Sequence, residues 1–296
     1  MKRRHFLSSA LLAAGGASLT YAQTPSRAAV SDFPVGAFVK FLQSQTYSEM
    51  ADTMDELGFQ GIEATIRKKG QIVPEKVEEE LPKLVAALKA KNQQIIIMAS
   101  DVTRADDPLM EKTLRVAADL GIQHYRMGHY RYDPKKELKP QLIEYRAMAR
   151  ELAALNKELG LSGLFQNHSG ARYVGAPVWD LETVLDGIDP DHIGVAFDIR
   201  HATAEGGLSW PLHWSMILPR VRAVYVKDFV WEGRRPKNVP LGSGQVDPAF
   251  FQKHLPRIKR TVPISLHIEY LRTAGVEKNI EALRNDLATL KKLLTQ

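Results

Sequence analysis

The fold class this sequence predicts is α/β: one (β/α)8 TIM barrel, a parallel sheet closed on itself. Three observations carry that expectation. From about Phe33 onward, short apolar runs rich in β-branched residues alternate with longer amphipathic segments, and eight such units can be counted. The chain has 296 residues, 44% apolar and 25% charged, which suits one large core, and no linker marks a second domain. Most of the strand candidates are followed by polar, turn-forming residues, and the C-terminal strand ends of a parallel barrel are where its active sites lie.

The strand candidates, in order, are Val35 to Leu42, Gly61 to Thr65, Gln94 to Ala99, Gln123 to Gly128, Gly163 to His168, Ile193 to Asp198, Ala223 to Lys227 and Pro263 to Glu269. Between them the pattern predicts helices over Tyr47 to Leu57, Pro74 to Lys91, Pro108 to Leu120, Lys139 to Leu159, Val178 to Asp186 and Pro248 to Lys259. Asn279 to Leu294 reads as the closing helix. Leu120-Gly121 and Leu159-Gly160 read as helix stops, because glycine accepts the left-handed conformation found there. Arg172 to Pro177 and Ala202 to His213 read as segments that wall the mouth or as ordinary surface loops. Val230 to Gly244, with Trp231, Arg234 and Arg235 and with Gly242 and Gly244 as hinges, reads as a mobile lid or an ordinary surface loop.

Residues 1–22 stand apart from the barrel, which is expected over 23–296. Lys2, Arg3 and Arg4 form a basic n-region, Leu11 to Ala17 are weakly apolar, and Thr20-Tyr21-Ala22 suits a cleavage site. Arg3-Arg4-His5-Phe6-Leu7 resembles a twin-arginine signal peptide, so a periplasmic or secreted protein beginning near Gln23 is expected. The apolar stretch is too short and glycine-interrupted to remain as a membrane anchor. Without those three basic residues the formal charge falls from +6 to +3, too little to suggest nucleic acid. Cysteine is absent, so no disulfide staples the fold.

Side chains alternate along a strand, which sorts the strand ends into faces. Gln166 and His168 share the pocket face of the fifth strand while Asn167 points away, and capping of the strand is the other use for His168. Asp198 follows a wholly apolar run, where a carboxylate is expensive unless paired, hydrogen-bonded or metal-bound, and His201 lies three residues on. On the seventh strand Tyr225 and Lys227 share a face. Lys227 is readable as a base of lowered pKa, a cation for a substrate oxygen, or a salt-bridge partner of Asp198 or Glu269. Ser265, His267 and Glu269 share a face of the eighth strand, and Glu269 is the best candidate base, its alternative being a structural pair with Lys227. Glu63, Asp101, Arg126 and Gly128 are weaker candidates on earlier strands.

Taken together, Gly58-Phe59-Gln60-Gly61-Ile62-Glu63, Gln166-Asn167-His168, Asp198 with His201, Val226-Lys227-Asp228 and His267-Ile268-Glu269-Tyr270 resemble the xylose isomerase-like family of sugar isomerases and epimerases. The resemblance implies a divalent metal (Mn, Mg, Zn or Co) held by a Glu, an Asp, a His and a Glu from strands five to eight. Asp198 and Glu269 match two of these positions. Gln166 stands where the first glutamate is expected and Tyr225 where the histidine is expected, which lowers the ligand charge and weakens any metal site built from Asp198, Glu269 and Gln166. It also removes one of the two bases that the resemblance implies for epimerisation, so a one-base reaction fits better.

The resulting expectation is an exported isomerase or lyase acting on an unphosphorylated sugar or keto-glycoside. Glu269 takes a proton next to a carbonyl, and metal, or Lys227 with His201, steadies the oxyanion. His168, Gln166, Tyr225, His267, Arg126 and Glu63 are the candidate substrate-binding residues. The expected partner is a small carbohydrate, and homo-oligomers are left open. The competing expectation is a non-catalytic sugar-binding barrel that has lost its metal; a DNA-repair endonuclease needs several metals and many more His and Glu ligands.

Overall fold

The computed structural model describes residues 32–271 and 274–295, so the signal peptide expected over residues 1–22 lies outside the described residues. Eight parallel strands close into a barrel in the order β1-β10-β7-β6-β5-β4-β3-β2. They are β1 (Val35–Phe38), β2 (Gly61–Ile66), β3 (Gln94–Ser100), β4 (His124–Arg126), β5 (Ser162–Gln166), β6 (Ile193–Asp198), β7 (Val221–Val226) and β10 (Ile264–Leu266). Outside the barrel, β8 (Asp228–Glu232) and β9 (Arg235–Val239) pair antiparallel.

The helices pack around this sheet: α1 (Tyr47–Leu57), α2 (Val77–Lys89), α3 (Pro108–Asp119), α4 (Leu138–Leu159), α5 (Trp179–Leu185), α6 (Ile199–Gly206), α7 (Trp210–Ile217) and α8 (Val276–Thr295). Their ends have local causes. Thr46 and Glu49 close a reciprocal capping box at the start of α1, satisfying two backbone donors that the helix leaves unpaired. Gly160 ends α4 at φ 68°, in the left-handed conformation its sequence position predicted. No helix among the described residues is long and apolar enough to cross a membrane.

Four expectations are corrected. The first strand stops at Phe38 instead of Leu42, because Val39 leaves the extended conformation (φ −92°, ψ 24°) and a 3-10 turn, Lys40–Leu42, follows. Pro248 to Lys259 is not an α-helix: a π turn, Phe250–His254, runs into a 3-10 turn, Leu255–Arg257. Pro256 explains the failure, having no N–H to donate and a ring that collides with the preceding turn. Ala202 to His213 belongs to α6, α7 and the 3-10 turn between them, not to a loop. Val230 to Gly244 is for the most part the β8–β9 hairpin, and its glycines are not hinges. The Gly242 and Gly244 amides both donate to Asp228 Oδ2, at 3.0 and 2.9 Å, and a Cβ at Gly244 would collide with that carboxylate.

Inside the barrel, Ile96, Ile97, Leu164, Ala196, Ala223 and Tyr225 form a buried cluster separate from the main core. Gly61 makes room for it, since a Cβ there would stand 2.8 Å from Ile96 Cγ2. Above this plug the inward positions turn polar: Glu63, Arg126, Gln166, Asp198, Lys227 and His267 are each no more than 5% exposed.

Candidate active site

The register that aligns Asp198 with Tyr225, and Tyr225 with Ser265, sets the levels at which side chains meet inside the barrel. The lower level centres on Glu63, which is fully buried. Its Oε1 accepts from the Tyr225 hydroxyl at 3.0 Å, and its Oε2 faces Ser265 Oγ at 2.6 Å and His267 Nε2 at 2.9 Å. Arg126 Nε lies 3.6 Å from Oε1. Burial opposes ionisation of Glu63, but His267 and Arg126 outweigh it and hold the carboxyl below its usual range. Reciprocally, burial disfavours charge on His267 and Glu63 more than offsets this, raising the imidazole pKa. Burial, with Glu63 adding to it, pushes the Tyr225 phenol far upward, so the hydroxyl keeps its proton.

One level higher, Lys227 Nζ donates to Glu269 Oε2 at 2.8 Å and lies 3.2 Å from Asp198 Oδ2. Gln166 Nε2 donates to the same Asp198 oxygen at 2.9 Å, and the His201 backbone N–H donates to Asp198 Oδ1 at 3.0 Å, so Asp198 also caps α6. Burial disfavours the Lys227 ammonium, yet Asp198 and Glu269 outweigh it and raise its pKa. Of the three readings of Lys227, the structure shows the salt-bridge partner of Asp198 and Glu269, and the raised pKa speaks against a base of lowered pKa. The Lys227 cation, against partial desolvation, holds Glu269 well below the usual carboxylate range. The Glu269 side chain is 38% exposed while Lys227 and Asp198 behind it are 5% and 0% exposed. It borders a cavity of about 290 Å³ lined also by Phe38, Lys40, Phe41, Ile268 and Asn279.

A third group lines the fifth and sixth strand ends. His168 stacks on Tyr173 with ring centroids 4.1 Å apart and lies at the same distance from His201, and its Nδ1 meets the Ser169 carbonyl at 2.9 Å. Burial lowers the His168 pKa to about 4 and that of His201 well below the usual value, keeping both rings neutral. His201 Nδ1 is 2.7 Å from Ser169 Oγ and 3.0 Å from Arg200, while its Nε2 points at Asp198 Oδ2 from 3.4 Å. Arg200 also donates to Asn238 Oδ1 at 3.0 Å, tying β9 to this corner.

The structure thus brings Gln166, Asp198, Lys227, Glu269 and His201 into one cluster and Glu63, Arg126, Tyr225 and His267 into a second beneath it. Glu63 and Tyr225 make the floor, fully buried and bonded to one another, instead of facing a ligand at the mouth. Asp101 joins neither group; its carboxylate accepts the Lys68 amide at 3.0 Å. Gly128 supplies close packing, since a Cβ there would stand 2.7 Å from Thr103 Cγ2.

Asn167 is the residue that strand parity missed. It lies past the end of β5, and its amide donates to the Asp198 carbonyl at 3.0 Å and accepts the Asp198 N–H at 2.7 Å. Its outward parity hid it, although an amide beside the Gln166 and His168 pair was the available clue. Arg200 was missed too, and its position between Asp198 and His201 was the sign.

The donor chemistry at the four family metal positions does not fit a divalent ion. Gln166 offers an N–H to Asp198, the Tyr225 hydroxyl donates to Glu63, and the two carboxylates share the Lys227 ammonium. A second cation held by the same oxygens would face Nζ within a few ångströms. There each pair of like unit charges repels by about 4 kcal/mol at an effective dielectric of about 20. Among the described residues no group of three or more His, Cys, Asp or Glu side chains is arranged to hold a metal.

No curated protein sequence matches the chain at a significant level. Solved structures share its fold. The apo form of a 3-keto-D-glucoside 4-epimerase from E. coli is 15% identical, with a TM-score of 0.65, covering 88% of this chain and 100% of that one. A probable 3-DHS dehydratase involved in petrobactin synthesis from Bacillus anthracis is 13% identical, with a TM-score of 0.66, covering 87% of this chain and 98% of the other. A xylose isomerase-like TIM barrel protein from Mycobacterium smegmatis in complex with magnesium is 14% identical, with a TM-score of 0.65, over 90% of this chain and 99% of that one. At such identities the likeness establishes the barrel alone. The family follows from the sequence itself: a model described as a xylose isomerase-like TIM barrel matches residues 51–293, most of the chain, and the protein belongs to that family.

Proposed function

We propose that the protein is an exported enzyme that moves a proton on the carbon next to a carbonyl of an unphosphorylated sugar or keto-glycoside, as an isomerase or a carbon–oxygen lyase. The observation that carries the proposal is Glu269, a half-exposed carboxylate at the mouth of the barrel with a buried ammonium 2.8 Å behind it. Glu269 accepts the proton, and the electron pair of the broken C–H bond moves onto the carbonyl oxygen as an enediolate. Lys227, with His201, stabilises that oxyanion by hydrogen bonding. In an isomerase Glu269 returns the proton to the former carbonyl carbon while the hydroxyl proton of the first carbon passes to the former carbonyl oxygen, leaving a new carbonyl; in a lyase the electron pair forms a C=C bond as the β-hydroxyl departs with the proton as water. Gln166, His168, His267 and Arg126 shape the pocket around the sugar. Both chemistries are represented on this fold by the epimerase and the probable dehydratase named above.

Deuterium incorporation into keto sugars in heavy water, followed by NMR, tests the reaction. Wild type is expected to exchange the proton and Glu269→Gln is expected to lose exchange while keeping its fold. The Lys227–Glu269 pair favours a second reading, a sugar-binding barrel, since pairing makes the carboxylate a weak base. Sugar binding without exchange in wild type would select that reading. Export is tested separately: the periplasmic protein should begin near Gln23, and Arg3→Lys with Arg4→Lys should hold the precursor inside the cell.

A further inference from the structure

We infer that the Lys227 ammonium is the resident cation of this barrel, standing in for the divalent metal expected of its family, and that the protein works without such a metal. The inference rests on reading this cluster as the working site, but not on which reaction occurs there.

Nζ lies against one oxygen from each of the two carboxylates at metal positions, Glu269 Oε2 at 2.8 Å and Asp198 Oδ2 at 3.2 Å. The other two positions have turned their hydrogen-bond donors onto neighbours, so each now supplies an N–H or O–H where a metal needs a lone pair. Gln166 directs its amide N–H at the Asp198 oxygen that Nζ also meets, and the remaining Asp198 oxygen accepts the His201 backbone N–H. The nearby imidazole nitrogen His201 Nδ1 is flanked by Ser169 Oγ and the Arg200 guanidinium, which repels a further cation. Asp198 and Glu269 with one ammonium already leave a net charge of only −1, so a divalent ion would meet little attraction.

The ammonium is held from outside as well. Asp228, next in sequence and on the opposite face, accepts four backbone N–H groups, from Phe229, Gly242, Gly244 and Val246. Lys227 is therefore fixed at its backbone and at its tip. Single-residue exchange toward the family ligands does not suffice to restore a metal while this side chain stays in place.

Elemental analysis and equilibrium dialysis against Mn²⁺, Mg²⁺ and Zn²⁺ on protein purified without chelator test this directly. Wild type is expected to carry clearly substoichiometric metal and to show the same melting temperature with EDTA or with millimolar Mn²⁺. Gln166→Glu alone is expected to stay metal-free, while Lys227→Met in that background is expected to gain Mn²⁺ affinity by about ten- to a hundredfold, the size of outer-shell effects on metal affinity. One tightly bound ion per wild-type chain overturns the inference, whatever becomes of the variants. Failure of the double variant to gain affinity while folded overturns the stand-in role of Lys227. Deuterium exchange that appears only with added metal would sink this inference and leave the proposed reaction standing. Absence of exchange under all conditions would sink the reaction, and the metal measurements would still decide the cation.

Discussion

Replacing Glu63 by Gln keeps the shape of the side chain and removes its charge from beneath the site. In the wild type, Oε2 stands 2.9 Å from His267 Nε2 and Oε1 stands 3.6 Å from Arg126 Nε. At an effective dielectric of about 20 these attractions amount to about 6 and 5 kcal/mol, most of which offsets the desolvation of three buried ions. Breaking such an arrangement by removing one partner costs about 3–5 kcal/mol, since Arg126 and His267 lose their buried counter-ion and His267 keeps only the more distant Glu269, at 3.9 Å. For a domain of this size that corresponds to a fall in Tm of roughly 10 °C. The loss depends on pH with a sign that follows from the shifts. His267 has a raised pKa when paired, so its contribution is fully present below its ordinary 6.5 and fades as pH rises through the raised value. In Glu63→Gln the largest influence that raises the His267 pKa is gone and burial is opposed only by Glu269, so the variant gains less stability from this imidazole as pH falls through 6.5. Urea denaturation of both proteins should give a larger difference at pH 5.5 than at pH 8.5. A difference below about 1 kcal/mol, or one that is equal at both pH values, would refute the account of the floor.

Three further outcomes are expected. Because the Glu269 carboxyl is held well below its ordinary 4.5, kcat/KM should not fall between pH 7 and pH 5, and a midpoint inside that range would assign the base elsewhere. Asp228→Ala strands four backbone donors, three of them in the Gly242 to Val246 segment, and should lower stability by about 3 kcal/mol, with new proteolytic cleavage in that segment. Asn167→Ala removes two bonds to the Asp198 backbone; about 2 kcal/mol of stability should go, and kcat should drop more than KM changes, because Asn167 positions Asp198 without reaching the mouth.

Much of the barrel was legible because its two signals are local. Every strand candidate overlaps an observed strand, and the pairing of Tyr225 with Lys227, and of Ser265 with His267 and Glu269, follows from a period of two. The errors fall where another constraint overrides a local one. Phe41 and Leu42 continue the apolar run of the first strand yet sit in a 3-10 turn, and the amphipathic pattern of Pro248 to Lys259 conceals the interruption at Pro256. Trp231, Arg234 and Arg235 resemble loop residues, but antiparallel pairing between neighbouring segments places them in a hairpin and its turn. At the site, the residue types at four strand ends could be read, whereas their depth could not. That Glu63 meets Tyr225, and Asp198 meets Lys227, depends on closure of the barrel and on a register shift between Ile62 and Glu63, neither of which a single strand displays. That Gln166 turns its N–H onto Asp198 is a property of the assembled pair.

The plug formed by Ile96, Ile97, Leu164 and Tyr225 keeps water from reaching the polar residues from within the barrel. Of the Lys227, Asp198 and Glu269 group only Glu269 is substantially exposed, so solvent meets this buried charge array through one carboxylate, and the other two groups exchange protons and ions with solvent by way of it.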